Sequence, residues 1–356
     1  MYSIEAARAL AAISVLFLHA ANLMRVEHFS GHIGLSHIFD FGYVGVDFFF
    51  VLSGFIITYV HFTDIGRIER IPRYLWRRFS RIYPIYWAIL FLVVTVTTLA
   101  RLATDKGTGW EIGPTDIAGT VFLLMGGGEP KYVGVAWSLQ FEVLFYFAFC
   151  VLLVNLRIGT VVFVTWGGYV LARALGLVNV ELPLRLGNAH CLEFLFGVAV
   201  GMIARRYALR TTAATLTAIL LLFVAAVVFE VYGPLGRHTD AGRIVLGLVS
   251  AMLLATLVAA ENGRALRTPR WLARMGSVSY TIYLGHILFI NLTYMALLKL
   301  GLYHALPEVM VFAIAVCVSL TATIMIGLYV ELPLVRVLKD RYQGRTDALP
   351  AVAPGR

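Results

Sequence analysis

Long apolar runs alternate along this chain with short polar connections. They cover approximately residues 4–24, 42–60, 83–100, 134–154, 158–172, 188–204, 211–231, 243–260, 277–298 and 308–330. A bilayer core of about 30 Å takes about 20 helical residues to cross. The pattern therefore predicts an all-α polytopic membrane protein of about ten transmembrane helices. A weaker apolar stretch, residues 116–125, runs straight into Gly126, Gly127 and Gly128. It is too short to span easily and reads as a re-entrant or surface element.

Composition agrees with this reading. Of the 356 residues, 60% are hydrophobic and 14% charged, against about 25% charged in soluble domains. The net charge of +9 does not point to nucleic acid, because the basic residues sit mostly in short loops, where they set topology and meet anionic headgroups. Ten spans with both termini cytoplasmic place 19 basic residues inside, in clusters at Arg67 to Arg81, Arg205 to Arg210 and Arg264 to Arg274, with Arg157 and the tail. Nine fall outside: Arg25, Arg101, Lys106, Lys131, Arg173, Arg185, Arg237, Arg243 and Lys299. Counting residues 116–125 as a span would move the Arg205 and Arg264 clusters outside, against the positive-inside bias. The first apolar segment lacks a positive n-region and reads as retained. One membrane domain, residues 1–338, is expected, followed by a disordered cytoplasmic tail, residues 339–356. Cys150, Cys191 and Cys317 lack metal or redox spacing and read as packing residues.

Ionisable groups inside spans are costly and mark functional sites by default. Arg8 and His19 share the first span; eleven residues are three helical turns plus about 20°, so both lie on one face, about 16 Å apart. Each alone has a plain explanation, a snorkelling arginine or a satisfied packing histidine. Topology puts His19, Asp47, Glu142, His190 and Glu193 at similar depth in the outer half, on four helices. A histidine near carboxylates is equipped for general-base chemistry on a hydroxyl. The same groups could ligate a metal, but without an HxxxH or HExxH pair no metal is expected.

On the inner side, the stretch before the third span carries Arg67, Arg70, Arg73, Arg77, Arg78 and Arg81 and no lysine. Arginine favours bidentate contacts with phosphate. The first three read as a topological anchor; Arg77, Arg78 and Arg81 read as a docking point for a phosphate-bearing donor. His286, near mid-membrane, reads either as a residue lining the path between the two sites or as a structural hydrogen-bonding residue. Glu331 and Pro333 read as a helix terminus.

Arg8 with His19, residues 45–55, the run from Arg77 to Pro84, Trp137, Ser138 and Leu139 with Glu142, and residues 279–286 occur in this order and together resemble the membrane-bound acyltransferase family 3. That family includes O-acetyltransferases of bacterial exopolysaccharide, lipopolysaccharide and nodulation-factor pathways. The resemblance implies a multi-pass protein of the bacterial inner membrane that takes acetyl-CoA on the cytoplasmic side and acylates a sugar hydroxyl, commonly on the outer side. It implies His19 as the reactive histidine with Arg8 as partner, Arg78 and Arg81 as the Arg-x-x-Arg pair, and Glu142 as the carboxylate of the Trp-Ser-Leu helix. The chain departs from many relatives in having Gln140 and Phe141 before a single Glu142, with Val143 after it, where a second acidic residue is common. Without the esterase-like soluble domain of many relatives, it is expected in the stand-alone branch.

The expected mechanism docks the phosphates of acetyl-CoA on Arg78 and Arg81, with Arg77 and Tyr83 nearby. His19 deprotonates the acceptor or carries the acyl group, oriented by Asp47 or Glu142, while Trp137, Ser138, His190, Glu193 and His286 serve a carbohydrate or glycolipid acceptor. Direct transfer and an acyl-histidine both fit. The rival classes are a proton-coupled transporter, in which the buried groups form a proton relay, and a protein that only binds a lipid-linked sugar.

Overall fold

The computed structural model describes residues 1–26, 29, 35–103, 113–126, 128–233 and 239–347, and no strand occurs among them. Lys106, Arg237 and Arg356 of the topological reading lie outside the described residues. The helices are α1 (Tyr2–Met24), α2 (Val44–His61), α3 (Ile71–Leu102), α4 (Pro114–Val121), α5 (Trp137–Val154), α6 (Leu156–Ala174) and α7 (His190–Arg206). They continue as α8 (Ala213–Tyr232), α9 (Asp240–Asn262), α10 (Arg270–Ser277), α11 (Ser279–Lys299), α12 (Glu308–Ile326) and α13 (Leu332–Asp347). Side-chain oxygens of Asn155, Thr212 and Thr239 cap the starts of α6, α8 and α9, satisfying donors that helix geometry leaves free.

Among the described residues, nine helices are long and apolar enough to cross a membrane. The tenth expected span is α6, whose terminal Arg157 and Arg173 and internal Gly167 and Gly168 dilute its apolar character. Its 19 residues nonetheless measure about 28 Å, and its contacts show that it traverses the bundle. Gly66, just past α2, donates to Leu152 at the end of α5, immediately before α6 begins. At the other end of α6, Arg173 donates to the carbonyl of Gly187, just before α7.

The other helices fit the same alternation. The start of α1 is tied to the end of α9, where Glu261 accepts from Ser3 Oγ and from the backbone of Tyr2 and Ser3. Glu331, in the π-helical turn Gly327–Glu331 after α12, accepts from Thr281 near the start of α11. At the opposite end Asp47, His190 and Arg243 meet, in the first turns of α2, α7 and α9. The chain therefore enters the bundle with α1 and leaves it after α12 at one end, here called the arginine end because α3 starts there. The stretch expected as a disordered tail begins inside α13, which runs on to Asp347. Residues 348–356 lie outside the described residues.

Small residues bring the central helices close. Gly197 of α7 faces the carbonyl of Val51 on α2, leaving no room for a Cβ, and Gly54 of α2 faces the carbonyl of Phe194 in the same way. This is the small-residue contact by which helices pack in lipid. Between α3 and α5 lies α4, which is not a span. Tyr83, Tyr86 and Trp87, on one face of α3, donate to the carbonyls of Phe122, Thr120 and Val121 at its C-terminal end, satisfying orphan acceptors.

Candidate active site

The arginines of the third polar stretch do not form a loop. Helix α3 starts at Ile71, so Arg78 and Arg81 lie two to three turns inside it and share one face. Arg78 is 6% exposed; its guanidinium lies 5.8 Å from the ring centre of Tyr74 and 5.9 Å from that of Tyr146. With Arg8 of α1 these two arginines line a cavity of about 100 Å³, room for several water-sized groups. Glu142 and Tyr146 of α5 line it as well, the Tyr146 hydroxyl donating to Glu142 Oε1 at 2.8 Å. Arg8 also pairs with Glu5, one turn earlier, at 3.1 Å. The cavity's own lining thus holds three guanidinium groups and one carboxylate, an environment for an anion.

Deeper in the bundle the cavity is bounded by Ser138 and Tyr283. Their hydroxyls are hydrogen-bonded to each other at 2.8 Å and lie 3.0 and 3.2 Å from the carbonyl oxygen of Val135, which accepts from whichever of the two does not donate to the other. One turn beyond Tyr283, His286 of α11 meets His19 of α1, with His286 Nε2 3.2 Å from His19 Nδ1 and ring centres 5.0 Å apart. His286 is fully buried, whereas His19 is only partly so. Arginines, hydroxyls and histidines thus follow one another along the inner face of α1, α3, α5 and α11.

The five groups expected to converge at one depth are divided between three places. Glu142 belongs with the arginines. Asp47, His190 and Glu193 form a second cluster, 1%, 3% and 0% exposed. His190 Nδ1 is 2.9 Å from Glu193 Oε2, and Arg243 NH1 is 2.7 Å from His190 Nε2 and 3.3 Å from Asp47 Oδ1. A guanidinium only donates, so His190 Nε2 accepts from Arg243 and its Nδ1–H donates to Glu193. The ligand atoms of Asp47, His190 and Glu193 lie within 4.8 Å of one another, as a metal would require; the guanidinium of Arg243 is the cation that sits there. The rings of Phe50, Trp137 and Phe141 enclose the imidazole at 4.6, 5.4 and 5.6 Å.

His19 stands apart from both. Among the described residues its polar partners are the Val15 carbonyl and His286, so the expectation that Asp47 or Glu142 orients it does not hold. Trp137, His190 and Glu193, expected to meet the acceptor, do not line the cavity, whereas Ser138 does. Tyr83 commits its hydroxyl to Phe122 at 2.6 Å, and neither Tyr83 nor Arg77 lines the cavity. Sequence reading gave no role to Arg243, Tyr146 or Tyr283. An arginine opening an apolar span, as Arg243 does, carries the same signal that singled out Arg8.

The fold is a many-pass helical bundle in which three arginines line one cavity and a histidine pair lies one turn beyond the Tyr283 that bounds it. The chain matches the acyltransferase domain family over residues 1–328 and belongs to it; it is a membrane acyltransferase. It is 27% identical over 320 residues to "Acyltransferase MdmB" of Streptomyces mycarofaciens, covering 81% of this chain and 79% of the relative. It is 25% identical over 287 residues to "Exopolysaccharide production protein ExoZ" of Rhizobium meliloti (strain 1021), covering 75% of this chain and 82% of the relative. No solved structure matches.

Proposed function

We propose that this protein is an O-acyltransferase of the bacterial cytoplasmic membrane that moves an acetyl group from acetyl-CoA to a sugar hydroxyl of an exported polysaccharide or glycolipid. The observation that carries this is the cavity lined by Arg8, Arg78 and Arg81 that reaches Ser138 and Tyr283, with the His286–His19 pair one turn beyond Tyr283. In this reading the arginine end faces the cytoplasm and both termini lie there, in keeping with the positive-inside bias. The CoA phosphates dock on Arg78 and Arg81, and the acyl-pantetheine arm threads the cavity towards His19. The relative named for exopolysaccharide production supports a polysaccharide acceptor.

The chemistry follows from the atoms present. The acceptor oxygen attacks the thioester carbonyl carbon while its proton passes to His19. The tetrahedral intermediate collapses, the C–S bond breaks, and the CoA thiolate leaves and takes up that proton, so His19 returns to its neutral form. General-base assistance of this kind contributes about 10²- to 10⁴-fold. The purified protein in lipid nanodiscs is expected to release CoA from acetyl-CoA when given a sugar acceptor, and His19→Ala to lose that activity by about the same factor while eluting as the same folded species. Wild-type turnover in a folded His19→Ala variant rules the mechanism out. Substrate uptake into vesicles without CoA release rules out the transferase reading.

A further inference from the structure

The histidine pair carries more information than proximity. His286 Nδ1 lies 3.1 Å from the carbonyl oxygen of Ile282, and His19 Nδ1 lies 2.9 Å from that of Val15. Carbonyl oxygens only accept, so each Nδ1 carries a hydrogen. A neutral imidazole has one ring N–H, which leaves both Nε2 atoms as lone pairs. His286 Nε2, 3.2 Å from His19 Nδ1, is therefore a second acceptor for the same N–H, and among the described residues His19 Nε2 has no hydrogen-bond partner.

We infer that His286 is a positioning residue: together with the Val15 carbonyl it holds His19 in the tautomer whose Nε2 lone pair serves as the base. This rests on the acyl-transfer reading above for what that base does. When His19 takes the acceptor's proton at Nε2, its Nδ1–H stays in place, and the positive ring faces the His286 lone pair and the Val15 carbonyl. The part a carboxylate plays for many catalytic histidines falls here to a neutral imidazole. A neutral acceptor suits the place, because His286 is 0% exposed and an ionised carboxylate there would bear a large desolvation cost. The ring is held in turn: Ser319 of α12 donates to the His286 backbone carbonyl at 3.2 Å, and the Tyr283 ring lies 6.2 Å away.

The test uses ¹⁵N-histidine-labelled full-length protein in nanodiscs, with the His19 signals assigned by their loss in His19→Ala. Wild type is expected to show His19 protonated at Nδ1 and bare at Nε2. His286→Leu leaves the Val15 carbonyl to hold that Nδ1–H without the second acceptor; it is expected to raise the share of the other tautomer and to lower kcat for CoA release about tenfold, the worth of one hydrogen bond, at unchanged KM for acetyl-CoA. His286→Gln places an amide oxygen at the Nε2 position and is expected to keep the tautomer and to stay within about threefold of wild-type kcat. If His286→Leu does not fold, His286→Asn replaces it, since its shorter amide reaches Ile282 but stops short of His19. A wild-type tautomer and rate in the leucine or asparagine variant overturns the inference. So does a glutamine variant as slow as these, which would assign the role to the ring itself. A wild-type protein with no acyl-CoA turnover at all refutes the acyl-transfer reading instead, while the nitrogen signals still decide the tautomer.

Discussion

Replacing Arg78 by lysine separates charge from shape. The guanidinium is 6% exposed and lies near the rings of both Tyr74 and Tyr146. These stacking contacts exist before any donor arrives, so to first order they cancel from the binding equilibrium; what they supply is orientation. Lysine keeps the positive charge but loses the planar fork, so it can make one charge-assisted hydrogen bond to a phosphate where arginine makes two. A hydrogen bond to a charged group is worth about 1.5–3 kcal/mol, and about 1.4 kcal/mol is tenfold in affinity. Arg78→Lys is thus expected to weaken CoA binding by about 10- to 100-fold. Arg78→Gln, which also leaves Glu142 facing one fewer cation, is expected to weaken it further. Titration calorimetry of CoA into nanodisc-embedded protein measures both. The lysine variant should also melt at lower temperature, since a buried ammonium is harder to desolvate than a guanidinium. If Arg78→Lys binds CoA within about twofold of wild type, Arg78 does not grip phosphate and the donor does not dock in this cavity.

Three further outcomes follow from the packing and charge pattern. Gly197→Val pushes a side chain into the Val51 carbonyl and is expected to destabilise by about 1–3 kcal/mol, whereas Gly168→Ala, with nothing within 4 Å of the added carbon, is expected to gain about 0.5–1 kcal/mol; thermal unfolding in detergent gives both signs. Arg243→Leu strips the cation from Asp47 and His190 and is expected to cost about 3–5 kcal/mol, partly recovered by adding Asp47→Asn; additive losses in the double variant would contradict the pairing. Glu142→Gln is expected to act on the KM for acetyl-CoA and to leave the pH midpoint of kcat in place, because Glu142 shares the arginine cavity instead of touching His19. A fall in that midpoint of about half a unit or more would put the carboxylate beside the histidine.

Much of this was legible in the chain, and what was not has a common cause. Arg8 and His19 share a helical face because residue identity and spacing alone determine it. The depth of a group is different, since it depends on where each helix begins. The arginine-rich stretch is polar enough that hydropathy starts the third span at residue 83, yet the helix starts at Ile71. Its buried face, with Tyr74, Arg78 and Ile82, continues one stripe through the polar half. That lifts Arg78 and Arg81 by about two to three turns, up to the level of Glu142, which apolar-run counting had placed beside His19. Arg243 was misplaced for the same reason: it was counted as an outer-loop cation, and the helix containing it starts at Asp240.

The same correction separates structural charge from functional charge. Around His190, Arg243 pairs with Asp47 and with the imidazole, Glu193 accepts from the other ring nitrogen, and aromatic rings close the space. Any ligand entering there would have to break an ion pair in low dielectric, which is strongly unfavourable. Around Arg78 the balance is reversed: three guanidinium groups and one carboxylate line a space that is open enough to hold an anionic group. Arg8 has Glu5 as a partner and Glu331 interacts electrostatically with both Arg8 and Arg81, so among the described residues the guanidinium least matched by carboxylates is that of Arg78, two turns inside the arginine helix. A buried charge already matched by its neighbours contributes to the fold. Buried charge in excess is tolerated only if something of opposite sign arrives to match it, and Arg78 lies in the cavity that ends at Ser138 and Tyr283, one turn short of the His286–His19 pair.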